Sequence, residues 1–232
     1  MFTKTAEYYD ALYHFKDYGA ACNQLHQLIQ RYNPAAKTLL DVACGTGKHL
    51  EYLKDRYDAA GLDLNPELLA VARKRSPNVT FHQGDMTNFN LATTFDVVVC
   101  LFSSIGYVQT VENLNKAVTC FTQHLNPGGL LVLEPWITPE NYWVNKITAN
   151  FVDQPNLKIA WMYTSQLKGL TSVFDINYLV GTPEGVSNFT EEHVMGLWTD
   201  AEYRSAIQQA GVQVNYDPKG LFGRGMYYGL KE

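Results

Sequence analysis

The chain has 232 residues, a hydrophobic content of 46% and a net charge of −5 with no block of Lys or Arg, which provides for one large α/β domain and argues against a nucleic-acid partner. The four cysteines (Cys22, Cys44, Cys100, Cys120) are scattered without a Cys-x-x-Cys pair, and no His/Asp/Glu cluster has metal spacing, so neither a disulfide framework nor a metal is expected. The start, Met1 to Glu7, has no apolar leader core and no run approaches the length of a membrane span, so no membrane partner and a soluble, cytoplasmic location are expected.

In chain order, residues 1–17 are rich in aromatics (Phe2, Tyr8, Tyr9, Tyr13, Phe15), with Tyr18 next. Leu25, Leu28 and Ile29 share a face of a helix that runs to about Arg31 and ends at Asn33-Pro34. Residues 38–42 read as a strand and 47–55 as a helix. Ala59 to Leu62 reads as a second strand, and Pro66 opens a helix to about Arg75. Val79 to His82 is a third strand, and Phe95 to Leu101, with Val97-Val98-Val99, a fourth. A helix from about Val111 to Leu125 ends at Asn126-Pro127-Gly128-Gly129, and Leu130 to Leu133 is a fifth strand. The alternation predicts βαβ units in a Rossmann-like, mostly parallel sheet. Ligands bind such sheets at the carboxyl ends of the strands, where Asp41, Asp63, Asp85, Phe102 and Glu134 fall together.

Residues 150–197 break that rhythm. Strand-like pieces at Leu157–Tyr163, Ser172–Val180 and Phe189–Trp198, separated by Gly- and Pro-containing turns, predict an antiparallel insertion near the C-terminal third. Thr199-x-x-Glu202 has capping-box spacing and starts a helix to about Ala210. Val212–Tyr216 and Tyr227–Leu230 are expected as the last two strands.

The stretch Leu39-Leu40-Asp41-Val42-Ala43-Cys44-Gly45-Thr46-Gly47 runs from a strand through a Gly-x-Gly turn into a helix, which makes a pocket for a nucleotide-like ligand. A P-loop would need a glycine at Val42 and Ser or Thr at His49, so that reading fails. Leu50 stands where the third glycine of a dinucleotide site belongs, which argues against a pyrophosphate. S-adenosylmethionine (SAM) has no phosphate. It needs a carboxylate for its ribose, which Asp63 supplies about 18 residues past Gly45, and a carboxylate near its adenine, which Asp85 supplies beside Met86.

With Gly61-Leu62-Asp63, Gln83-Gly84-Asp85-Met86 and Leu125-Asn126-Pro127-Gly128-Gly129, the chain resembles the class I SAM-dependent methyltransferases over roughly residues 35–135 and 200–231. The resemblance implies one domain over 1–232 with a seven-stranded sheet and an antiparallel last strand. Residues 1–34 would cover the cofactor, placing the rings of Tyr9 and Tyr18 near the sulfonium, where cation–π attraction is favourable. Ala43, Gly45, Gly47, Leu64, Leu101 and Phe102 would complete the cofactor site with Asp41, Asp63, Asp85 and Met86. Narrower motifs, Phe102-Ser103-Ser104-Ile105-Gly106, Glu134-Pro135-Trp136 and Gly223-Arg224-Gly225, resemble the N,N-dimethyltransferases of TDP-amino sugars. These imply N-methylation of a primary amine, with Tyr107 approaching the amine and Arg224 on the substrate side; Tyr107 and Glu134 are the candidates to orient the amine, and Trp136 is a candidate substrate contact.

The insertion departs from that subfamily. It carries Asp153, Asp175, Asn177, Glu191 and Glu192 against only Lys158 and Lys168. An acidic surface suits a small cationic or zwitterionic amine better than a diphosphate, with Asp175 as a substrate contact. A TDP-amino sugar and O-methylation of a small molecule are the alternatives. The insertion serves either as a lid or as the contact of a homodimer. His49, His82 and His124 are weaker candidates: His49 follows the glycine turn and has a structural reading as well, and His124 lies on the rim opposite the site.

Overall fold

The protein is described by a computed structural model covering residues 5–232; the first four residues of the expected covering segment, Phe2 among them, lie outside the described residues. The chain begins with a short helix α1 (Tyr9–Leu12) and a longer α2 (Tyr18–Tyr32), whose Asp17 N-cap accepts from Ala20 N–H at 2.8 Å. Then follow β1 (Thr38–Val42), α3 (Lys48–Leu53), β2 (Asp58–Asp63), α4 (Pro66–Arg75), β3 (Thr80–Gln83), β4 (Phe95–Cys100), α5 (Val111–Gln123) and β5 (Leu125–Leu133). Helix α4 starts where expected because Asn65 caps the Glu67 and Leu68 amides and Pro66 takes the first position, with Arg73, Lys74 and Arg75 at its C-terminal, negative end.

These strands join β11 (Asn215–Asp217) and β12 (Met226–Leu230) in one sheet of order β11-β12-β5-β4-β1-β2-β3. The pairs among β1 to β5 are parallel, while β12 is antiparallel to β5 and β11 antiparallel to β12. Strand β4 reads as unbroken hydrophobic sequence because both of its faces are covered. Val97 and Val99 pack with Cys22 and Leu25 of α2. Val98 and Cys100 pack with Leu114 and Phe121 of α5 and with Tyr203. Strand β5 starts earlier than expected: Phe95 pairs with Leu125 and Val97 with Leu130, so residues 126–129 are accommodated as an irregularity inside the strand. The strand expected at 212–216 is shifted, since Val212 makes only an isolated bridge to Lys231 and regular pairing begins at Asn215.

Between β5 and helix α6 (Asp200–Gln209) lies a second, antiparallel sheet built from β6 (Ile147–Gln154), β7 (Leu157–Thr164), β8 (Gln166–Lys168), β9 (Thr171–Thr182) and β10 (Gly185–Gly196). Its inner face buries Val152, Ile159, Phe174, Ile176, Tyr178 and Met195. It starts at Ile147, and β6 has no strand signature in the sequence because an edge strand with one buried residue, Val152, shows no alternation. The Thr199–Glu202 capping box is present. All four cysteines are free and buried, and no described helix is long and apolar enough to cross a membrane.

Candidate active site

The carboxyl ends of β1, β2 and β3 form a cradle. The turn after β1 requires positive φ at Ala43 (60°), Gly45 (55°) and Gly47 (68°). A Cβ at Gly45 would meet nothing within 4 Å, so its bareness serves a ligand's approach. The tight helix–strand packing that a third glycine gives in dinucleotide sites is supplied from the other side. A Cβ on Gly61 of β2 would lie 2.8 Å from Leu50 Cδ1, so Leu50 fills the space that Gly61 leaves. Asp63 is buried; its Oδ2 accepts from Gly45 N–H and its Oδ1 from Asn65 N–H, both at 2.8 Å. Burial still holds its carboxyl above the usual range. Asp63, Asp85, Met86, Leu64, Ala43 and Tyr9 line a cavity of about 310 Å³.

A small extension of the site lies between Asp41, Gly45, Tyr18, His49, Leu101 and Phe102. Asp41 is 1% exposed and its Oδ2 has no hydrogen-bond partner. Burial, with the Asp63 carboxylate nearby, holds its carboxyl well above the usual range. An orphaned carboxylate oxygen on a residue that lines this pocket suits an ammonium, so the residues present fit the amino-acid end of SAM. The N-terminal segment is tied over the turn by Asp10, which accepts from Thr46 Oγ1 at 2.8 Å and pairs with Arg75.

A second cavity of about 790 Å³ opens beside the first and shares Tyr9, Ser104 and Tyr107 with it. Phe102 and Ser103, both at positive φ (54° and 63°), make the turn after β4, and Phe102 lines this space. Glu134 holds that strained turn. Its Oε2 accepts from Phe102 N–H at 2.7 Å and its Oε1 from Leu221 N–H at 3.2 Å, and neither cavity is lined by it. The expected amine-orienting role does not suit Glu134, because its carboxylate lines neither cavity. Trp136 does line the cavity, with its indole N–H donated to Ser172 Oγ at 2.9 Å. The Arg224 guanidinium lies 4.8 Å from the Trp136 ring and donates to Ser103 Oγ at 3.1 Å.

The charge of this cavity reverses the expectation drawn from the insertion. Its lining cations are Lys16, Lys146 and Arg224, against the single carboxylate Asp17. Lys16 Nζ sits 4.0 Å from the Phe222 centroid, and burial followed by Arg224 lowers its ammonium to about 7. The acids counted in the insertion point elsewhere. Asp175 and Glu192 are cross-strand partners on the outer face, one residue out of phase with the inward-facing Phe174 and Ile176. Asp153 pairs with Lys158, and Glu191 accepts from Thr5 Oγ1 at 2.6 Å. Asp175 is thus no substrate contact here.

Two lining residues carried no sequence signal: Lys16 reaches the cavity through loop geometry and His193 through strand phase. His124 is structural: Nδ1 bonds Cys120 O at 2.8 Å and Nε2 accepts from Leu91 N–H at 3.1 Å. Among the described residues no three His, Cys, Asp or Glu side chains are grouped to hold a metal.

A cradle at the switch point of a Rossmann-like sheet, with an unpaired carboxylate for an ammonium and no phosphate loop, defines a SAM-dependent methyltransferase. Residues 39–129 match the methyltransferase domain family model. The chain is 40% identical over 229 residues, covering 97% of both, to the dTDP-3-amino-3,4,6-trideoxy-alpha-D-glucopyranose N,N-dimethyltransferase of Streptomyces venezuelae. It is 38% identical to the dTDP-3-amino-3,6-dideoxy-alpha-D-glucopyranose N,N-dimethyltransferase of Streptomyces fradiae, with 97% of this chain and 90% of that one covered. The crystal structure of Streptomyces venezuelae DesVI superposes with a TM-score of 0.93 at 39% identity over 98% of both chains. SAM-bound CalS10, an amino pentose methyltransferase from Micromonospora echinaspora, gives 0.89 at 35% identity, with 97% and 96% covered. The chain belongs to the class I SAM-dependent methyltransferases, in the family of the TDP-amino-sugar N,N-dimethyltransferases.

Proposed function

We propose that this enzyme transfers two methyl groups to the primary amine of a TDP-linked amino sugar. The observation that carries the substrate class is the pairing of Lys16 and Arg224 in an aromatic-walled cavity that meets the cofactor cavity at Tyr9, Ser104 and Tyr107. Two buried-side cations suit a diphosphate and repel the small cationic amine that the insertion's composition suggested.

SAM, when bound, supplies a methyl group on sulfur for in-line displacement. The chain's own residues do the positioning, the main source of acceleration in such a reaction. Asp41 takes the amino-acid ammonium and Asp63 the ribose hydroxyls. Arg224 and Lys16 anchor the diphosphate, so that the sugar amine reaches Tyr107 at the junction. The amine loses its proton to solvent before attack, so no side chain is assigned as a base.

The test is incubation of the protein and SAM with a TDP-3-amino sugar, the same sugar without its nucleotide, and a panel of small cationic amines, read by mass spectrometry. Two methyl additions on the nucleotide-linked sugar are expected, with little turnover of the others. Equal or better turnover of the cationic amines would sink the proposal.

A further inference from the structure

Tyr107 faces both cavities, and its hydroxyl lies 2.8 Å from His193 Nδ1. His193 is 1% exposed and stacks on Phe174 with ring centroids 5.5 Å apart and 12° between the planes. Burial holds its imidazolium down to about 4, so the ring is neutral at working pH. Of the two ways to share a proton across this contact, a phenol donating to an imidazole nitrogen pairs the better donor with the better acceptor. The Tyr107 proton is then committed to His193, and toward the cavities the oxygen acts as an acceptor.

We infer that His193 is a positioning residue that fixes the Tyr107 oxygen as an acceptor for an amine N–H, and that the second methyl transfer depends on this contact. The inference rests on the reading that the substrate is a primary amine on an amino sugar. A neutral primary amine has two N–H groups and one lone pair. An acceptor oxygen takes an N–H and leaves the lone pair for the methyl carbon. A hydroxyl that donated would occupy that lone pair and block attack. In each transfer the amine lone pair displaces the sulfide from the methyl carbon, the old bonding pair stays on sulfur, and one ammonium proton goes to water. The primary amine can offer either of two N–H groups to this oxygen, but the secondary amine formed first keeps only one, so the second transfer depends on the contact more than the first. The tertiary amine formed second has none, so nothing holds it for a third transfer.

The experiment compares His193→Phe, His193→Gln and Tyr107→Phe with the wild type on a TDP-3-amino sugar. His193→Phe and Tyr107→Phe are expected to lower kcat on the order of ten- to a hundredfold, the worth of one lost or misdirected hydrogen bond. Both are expected to release monomethyl product, with KM for SAM within about threefold of wild type. His193→Gln, whose amide oxygen accepts, is expected to restore the dimethyl product. A rate loss without any change in the mono-to-dimethyl ratio overturns the inference, because a merely structural defect slows both transfers alike. The second measurement needs no substrate: in wild-type protein with ¹⁵N-labelled histidine, assigned by the signals lost in His193→Gln, His193 Nδ1 is expected to be unprotonated. A protonated Nδ1 overturns the inference even if variants misfold. A wild type that ignores the amino sugar refutes the proposed substrate instead and leaves the ¹⁵N result to decide this one.

Discussion

Replacing Asp63 by Ala removes a carboxylate whose two oxygens hold the Gly45 and Asn65 amides and which lines the cofactor cavity. In the free protein the cost is partly offset, because water entering the cavity can solvate both amides. In the complex the two ribose hydroxyls lose a charged acceptor. Hydrogen bonds to a charged group are worth about 1.5–3 kcal/mol each, so two that share one carboxylate give about 3–4 kcal/mol. At about 1.4 kcal/mol per decade, SAM affinity falls roughly a hundred- to a thousandfold. Titration calorimetry with SAM and with S-adenosylhomocysteine measures this, and a urea melt of each protein shows whether the fold survives. Both ligands should lose affinity equally, since both carry the ribose. An affinity within about threefold of wild type, in a variant that still folds, would remove Asp63 from the ribose site.

The Lys16 ammonium, lowered to about 7, is a cation below that pH and is lost as pH rises through it. TDP-glucose, a diphosphate diester without a titrating amine, should therefore bind up to about tenfold more weakly above pH 7 than below it, and Lys16→Met should flatten the profile. Calorimetry across that range decides it, and an equal slope in both proteins would exclude Lys16 from the anion site. Gly61→Ala should destabilise the fold by about 1–3 kcal/mol, because the new Cβ lands 2.8 Å from Leu50 Cδ1, Cys44 Sγ and Phe81 Cδ1. In urea melts the Gly61→Ala/Leu50→Ala pair should be less destabilised than the sum of the singles by about 1 kcal/mol or more. Additivity within about 0.5 kcal/mol would show that Leu50 does not replace the missing glycine.

The cofactor cradle was legible in the sequence because its parts are local. A strand end, a glycine turn and the first carboxylate after the next strand are fixed by short-range geometry, and a parallel sheet brings strand ends to one rim whatever lies between. Asp41, Gly45, Asp63 and Asp85 therefore fall together from their order alone. Leu50 misled only in appearance: a helix–strand contact can take its small residue from either partner, and here Gly61 of β2 supplies it.

The substrate cavity was decided only by tertiary structure. Composition counts the acids of the insertion, but strand phase determines which of them face inward, and a shift of one residue moves a side chain to the other face. That phase turns Asp175 outward and His193 inward. Glu134 stands at a strand end, as catalytic carboxylates do, yet it lines neither cavity and instead ties together the Phe102 and Leu221 amides, over a hundred residues apart in sequence. Lys16 and Arg224 lie at opposite ends of the chain and meet because the N-terminal segment and the loop before β12 close over the same space. Local geometry repeated strand by strand makes the cofactor legible in the sequence, and the class of reaction is implied by the motifs that resemble the methyltransferases. The charge of the acceptor cavity depends on contacts between distant segments, and only the folded chain decides it.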